Sequence, residues 1–158
     1  MNTISPGDYA DFVTVTIQAS DPEAPPAQET IRYDQFVRWL FKADTEPMMA
    51  LHAALGVCGE VGELVEADVS LTAKDVIEEV GDLEFYLQAV RNHYGLVRNS
   101  VTDYGQRIMP VTRSTQNLVI QAGVLADCIK REYIYGKPRD VESIAQVLAQ
   151  IDFTLQYF

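Results

Sequence analysis

Residues 51–95, LHAALGVCGEVGELVEADVSLTAKDVIEEVGDLEFYLQAVRNHYG, decide the fold. Apolar positions in both halves recur at intervals of three and four, the period of a helix laid against a core rather than that of a strand. Glu46-Pro47 opens the first helix, which runs to about Ser70. Thr72-Ala73-Lys74-Asp75 then offers a cap with an acid three residues on, starting a second helix that Gly95 stops after Tyr94. Two helices joined by so short a turn form a hairpin.

Downstream, Gly105 and Pro110 break the segment from Leu96 to Arg113 into a short helix and a connection. Ser114 caps a helix to about Tyr135, YGKPRD turns the chain, and DVESIAQVLAQIDFTLQYF makes a last helix. Upstream, a short helix is favoured from Ser5-Pro6 to about Gln18, with the alternating β-branched run Val13–Ile17 leaving a strand as the alternative. SDPEAPPAQET, residues 20–30, holds three prolines and reads as a loop. YDQFVRWLF spaces Phe36, Val37, Leu40 and Phe41 as a short amphipathic helix. The expectation is an all-α helical bundle in one domain, 1–158, with N-terminal helices and a Pro-rich loop in 1–45, an acidic hairpin in 46–95 and a second hairpin in 114–158.

The second hairpin reads as a worn copy of the first. EEVGDLEFYLQ lies over AQVLAQIDFTLQ so that Leu83, Phe85 and Gln88 match Ile151, Phe153 and Gln156. Asp82 and Glu79 then correspond to Gln150 and Val147, and GELVEADV lies over GVLADCIK. Shared hairpin periodicity alone is the competing explanation.

Twelve Lys and Arg against twenty-three Asp and Glu give a net charge of −11, which disfavours nucleic acid and anionic membrane as partners. From Glu46 to Tyr94 there are ten acids against Lys74 and Arg91, while Lys130, Arg131, Lys137 and Arg139 cluster later. Cys58 and Cys128 lack metal-ligand spacing and are expected as free thiols. No signal peptide and no membrane-length apolar run is read from the sequence, so a cytoplasmic location is expected.

Glu60 and Glu63 stand three apart on the first helix, as Glu79 and Asp82 do on the second. Glu60 shares its stripe with Ala53, Gly56, Leu64 and Ala67, where a lone carboxylate carries a large desolvation cost. Asp82 lies with Asp75, Glu78, Glu79, Tyr86 and His93. A closed hairpin brings four carboxylates together, and their repulsion opposes folding unless cations sit between them. Hard oxygen ligands in that number suit Mg2+ or Mn2+ bridging to substrate phosphates. The competing explanation is a solvated acidic helix face, against which the shortage of nearby basic partners counts. Gly59, Gly62 and Gly81 cost helix stability, so close helix approach or room for a hydrated metal is expected there. His52 and His93 are expected to pack rather than to bind a hard cation.

The pair Glu60-Val-Gly-Glu63 followed after fifteen residues by Glu79-Val-Gly-Asp82 resembles the MazG-like all-α nucleoside triphosphate pyrophosphohydrolases, a superfamily that includes dimeric dUTPases and phosphoribosyl-ATP pyrophosphohydrolases. LHAALGVCGEVGELVEAD is similar to its first motif helix and EEVGDLEFYL to its second, so the resemblance covers about residues 51–88. It implies that Glu60, Glu63, Glu79 and Asp82 hold Mg2+, that Glu63 activates water, and that a nucleoside triphosphate yields monophosphate and pyrophosphate. It also implies a homodimer or higher homo-oligomer.

One departure stands out: VSLTAKD keeps only Lys74 where relatives have a lysine-containing phosphate-binding segment. LADCIKREYIYGKPRD looks like the missing piece, which makes Lys130, Arg131 and Lys137 candidate phosphate ligands; the alternative is that Lys130 and Arg131 favour their helix's C-terminal end. Trp39 and Tyr86 are candidate base-stacking residues, against core packing. The rival from another class is a non-catalytic helical module binding nucleotide or protein.

Overall fold

The computed structural model describes residues 12–17, 27–41, 45–70, 73–98, 114–156 and 158. The chain divides into two compact units, Met1–Phe41 and Lys42–Phe158, where one domain was expected; the break falls close to the anticipated boundary at residue 45.

The first unit corrects the sequence reading in two places. Strand β1 (Phe12–Ile17) pairs antiparallel with β2 (Ala27–Arg32), Phe12 opposite Arg32 and Ile17 opposite Ala27. The alternating Val and Thr residues of β1 suit a pleated ribbon better than a helix, and the expected loop yields its last residues to the partner strand. The remainder of both readings, 5–11 and 18–26, lies outside the described residues. Helix α1 (Tyr33–Leu40) follows as expected, with Val37 buried.

The second unit is all-α. It holds α2 (Glu46–Ser70), α3 (Ala73–Tyr94), α4 (Ser114–Tyr133) and α5 (Val141–Leu155). Thr45 receives the Met48 N–H on its hydroxyl and the Met49 N–H on its carbonyl, which starts α2. Gly95, at φ +66°, lets Leu96 N–H return to the Arg91 carbonyl and ends α3 where its glycine predicted. Asp140 caps α5 by accepting from Ser143 N at 3.0 Å. Thr72 and residues 99–113, which carry the expected cap of α3 and the broken segment, lie outside the described residues.

α2 packs against both α3 and α4, and α4 against α5. Ala50, Ala53, Ala54, Val57, Val61 and Leu64 face the core from α2, and Leu118, Ala122, Leu125 and Ile129 from α4. Burial agrees across the two hairpins where they were aligned: Leu64 with Leu125, and Leu83 with Ile151, are all fully buried. Cys58 Sγ lies 3.7 Å from the Ala122 carbonyl, marking where α2 meets α4.

Stretch Glu46–Ala67 is long and apolar enough to cross a membrane, which the sequence reading had not found. Its apolarity serves a helix with neighbours on two sides, and Glu60 and Glu63 interrupt it.

Candidate functional site

Glu60 reaches this site from α2, and Glu79 and Asp82 from α3. One carboxylate oxygen of each lies within 4.8 Å of the others, with Glu60 and Glu79 half-buried and Asp82 exposed. The i,i+3 spacing on α3 puts Glu79 and Asp82 on one face, and the hairpin presents that face to Glu60.

Burial raises the pKa of Glu60, and the charges of Glu63, Asp82 and Glu79 raise it further. Glu79 is raised likewise, first by burial and then by Glu63, Asp82, Glu78 and Asp75. Each charge acting on the pair is thus another carboxylate. Glu63 stays outside the tight triad and is exposed, yet it acts on both Glu60 and Glu79. Such a set attracts a cation, and all-oxygen donors facing open space fit a hard divalent ion that keeps part of its water shell.

Tyr86 borders the triad. Burial raises its pKa first, then the charges of Glu60 and Asp82. Its ring lies on the α2 backbone at Gly56, where an added Cβ would come within 2.1 Å of the ring, and His52 meets it edge-on. Gly56 is therefore the glycine that close approach requires. The three glycines expected in that role do not have it: a Cβ at Gly59, Gly62 or Gly81 would meet nothing within 4 Å. Trp39, the other candidate for a base, belongs to the first unit and is 68% exposed on α1.

The basic candidates stand apart from the acids. Arg139 donates to Glu132 at 2.7 Å, to Tyr133 Oη at 2.8 Å and to Glu46 at 3.1 Å, which ties the C-terminal end of α4 to the N-terminal end of α2. Tyr94 Oη donates to Glu132 at 3.0 Å, and His93 Nε2 lies 2.5 Å from Tyr133 Oη. Glu60 sits about 21 Å along the α2 axis from Glu46, at 1.5 Å per residue. Lys130 pairs with Asp127 at 2.5 Å and lies over the Tyr135 ring. Arg131 and Lys137 line a cleft with Cys128, Pro138, Arg139 and Asp140. Within one chain the anticipated joining of these cations to the acids is not seen: antiparallel packing carries the α4 C-terminus to the far end of α2.

Sequence reasoning missed a second charged cluster. Arg91, only 2% exposed, pairs with Asp152 of α5 and lies 3.6 Å from Glu84, while Arg98 donates to Glu84 at 2.6 Å. Burial raises the Glu84 pKa, against the lowering effect of Arg91 and Arg98. The cluster locks α3 to α5 inside the core and leaves Arg91 Nη1 without a hydrogen-bond acceptor among the described residues. A signal was present: Val80, Glu84, Leu87 and Arg91 form one helical stripe, with two charges on the face that Val80 and Leu87 bury.

Cys58 and Cys128 are free, and burial raises both thiol pKa values. No family model, characterised protein or solved structure matches the chain.

Proposed function

We propose that the protein is a Mg2+-dependent nucleoside triphosphate pyrophosphohydrolase that cleaves a (d)NTP to its monophosphate and pyrophosphate. The observation that carries this reading is the convergence of Glu60, Glu79 and Asp82 from two helices, beside Glu63 and with further carboxylate charge acting on Glu60 and Glu79. The resemblance of both four-residue motifs to the MazG-like superfamily supports it. Mn2+ is the alternative ion for the same oxygen set.

Glu60, Glu79 and Asp82 would hold the metal, which when bound supplies charge neutralisation of the phosphates and a more acidic water. Glu63, exposed beside the triad, would accept the proton of the attacking water. Tyr86, packed against Gly56, offers an aromatic ring next to the acids against which a base can stack. Trp39 remains a second candidate for that contact.

A homo-oligomer accompanies this reading. Leu55 on α2 is 70% exposed and Ile120 on α4 is 60% exposed, with Val119 also open, and a second copy would cover such exposed apolar side chains on these two helices. Sedimentation as a monomer at micromolar concentration would remove that part of the proposal.

The test is incubation with a panel of ordinary and modified nucleotides plus Mg2+, scoring monophosphate and pyrophosphate, alongside calorimetry with Mg2+. Absence of both hydrolysis and Mg2+ binding overturns the enzyme. A non-catalytic module is the second reading, favoured by the distance of Lys130, Arg131 and Lys137 from the acids. In that module Glu79→Gln with Asp82→Asn raises the melting temperature and Mg2+ changes little. In a metal site Mg2+ stabilises the wild type by about 2.7 kcal/mol at a hundredfold excess over its Kd, and the variant much less.

A further inference from the structure

Helix α3 carries charge on two of its edges. Glu79 and Asp82 lie on one, and Glu84 and Arg91 lie on another, about 160° round the axis at 3.6 residues per turn. The buried stripe of Val80, Leu83 and Leu87 runs between them. Any rotation of α3 that moves the acids therefore moves Glu84 and Arg91 as well.

Four charges meet at the second edge. Arg91 pairs with Asp152 of α5 and lies 3.6 Å from Glu84; Arg98, just past the end of α3, donates to Glu84 at 2.6 Å and lies 3.9 Å from Asp152. Glu84, Arg91 and Asp152 are buried, and the Arg98 side chain is 34% exposed. Apolar side chains of similar volume would serve stability as well or better, and Arg91 Nη1 finds no acceptor among the described residues. Stability alone is a poor reason for such a set. What it supplies is direction, because guanidiniums and carboxylates pair in few geometries while apolar side chains repack with little loss.

The acids on the first edge need that direction. A side-chain tip about 5–6 Å from the axis moves about 2 Å when the helix turns by about 20°. That is a whole metal–oxygen distance, about 2.0–2.1 Å for Mg2+, in an ion that demands near-octahedral geometry. Mutual repulsion among Glu60, Glu79 and Asp82 favours such a turn, so something on α3 has to oppose it.

We propose that Arg91 and Arg98 are positioning residues for the metal site: by gripping Glu84 and Asp152 they set the rotation of α3 at which Glu79 and Asp82 meet Glu60. The inference rests on the reading of the triad as a Mg2+ site and is independent of which nucleotide is cleaved.

Titration calorimetry of the full chain with Mg2+ alone tests it. Arg98→Met, at the exposed corner of the cluster, should stay folded by circular dichroism and bind Mg2+ about three- to tenfold more weakly than wild type. Arg98→Lys, which keeps the charge, should recover part of the loss. Replacing the whole set by Glu84→Leu, Arg91→Met, Arg98→Met and Asp152→Leu should separate the two roles, melting at or above wild type while Mg2+ binding stays weak. Leu118→Ala, on the core face of α4, is the opposite control: it should lower the melting temperature and leave Mg2+ affinity unchanged. The proposal is overturned if Arg98→Met or the apolar set binds Mg2+ as wild type does, or if Leu118→Ala weakens binding as much as Arg98→Met. If the apolar set does not fold, the two Arg98 variants and Leu118→Ala decide. A wild type that binds no Mg2+ overturns the metal reading and this inference with it, a result distinct from a wild type that binds and variants that bind alike.

Discussion

Two glutamates on the same helix meet opposite fates. Glu46, at the start of α2, receives Arg139 and lies in a network that also holds His93, Tyr94, Glu132 and Tyr133. Glu60, about 21 Å further along, faces Glu79 and Asp82, and the charges acting on it are acidic. The first environment is electrostatically complete and needs nothing from outside. The second gathers carboxylates whose charges oppose one another, which a cation would relieve, and this contrast, rather than the acidity itself, separates a candidate site from a solvated face.

The largest effect should come from breaking the paired regions. Arg91→Met leaves Glu84 and Asp152 buried with only Arg98 nearby, and should lower unfolding free energy by about 3–5 kcal/mol in urea titration. In the acidic region the penalty should fall on activity, not on folding. Glu79→Gln with Asp82→Asn should reduce nucleotide turnover by about a hundredfold or more while the metal-free protein melts no lower than wild type. A variant that loses both activity and stability equally would erase the contrast.

Gly56→Ala sharpens it from a third side. The new methyl overlaps the Tyr86 ring, so the ring must leave α2, at a cost of about 1–3 kcal/mol by thermal melting. Gly59→Ala and Gly62→Ala, where a Cβ meets nothing, should instead stabilise α2 by a few tenths to about 1 kcal/mol.

Acidity gives a smaller and more specific signal. Glu60 and Glu79 have folded-state pKa values raised above the ordinary 4.5. What they contribute to stability is fully present below that ordinary value and is lost as pH rises through the raised one. In metal-free buffer Glu79→Gln should therefore melt above wild type at neutral pH, and the gap should close as the pH is lowered towards 4.5. Burial and Arg139 lower the pKa of His93 in the paired region, so its contribution runs the other way, present above 6.5 and lost on acidification. The least effect is expected from Lys130→Ala, whose partners among the described residues are the exposed Asp127 and Tyr135; its melting temperature should match wild type.

Much of this was legible in the chain itself. Helices α2 to α5 follow from apolar spacing and from Glu46-Pro47, Gly95 and Ser114, because those signals act within a few residues. The convergence of Glu60 with Glu79 and Asp82 was legible for the same reason: a short hairpin leaves little freedom in register. Less accessible was anything set by how hairpins meet. The resemblance of LADCIKREYIYGKPRD to a lysine-containing segment singled out Lys130, Arg131 and Lys137, but the antiparallel meeting of α2 and α4 decides which end they occupy. Gly56 was visible on the Glu60 stripe, yet only the position of the Tyr86 ring distinguishes it from Gly59 and Gly62. The β1–β2 ribbon was misread because a six-residue alternation competes weakly with a neighbouring helical expectation.

Glu60, Glu79 and Asp82 gather beside Glu63, and the charges acting on Glu60 and Glu79 are acidic, so that part of the hairpin carries a concentrated negative field. A bare polyanion diffusing towards it is repelled and a small cation is drawn in, so the order of arrival is biased before any contact forms. Added salt should flatten that bias within a Debye length of about 10 Å at 0.1 M, slowing cation capture while easing the approach of free anions.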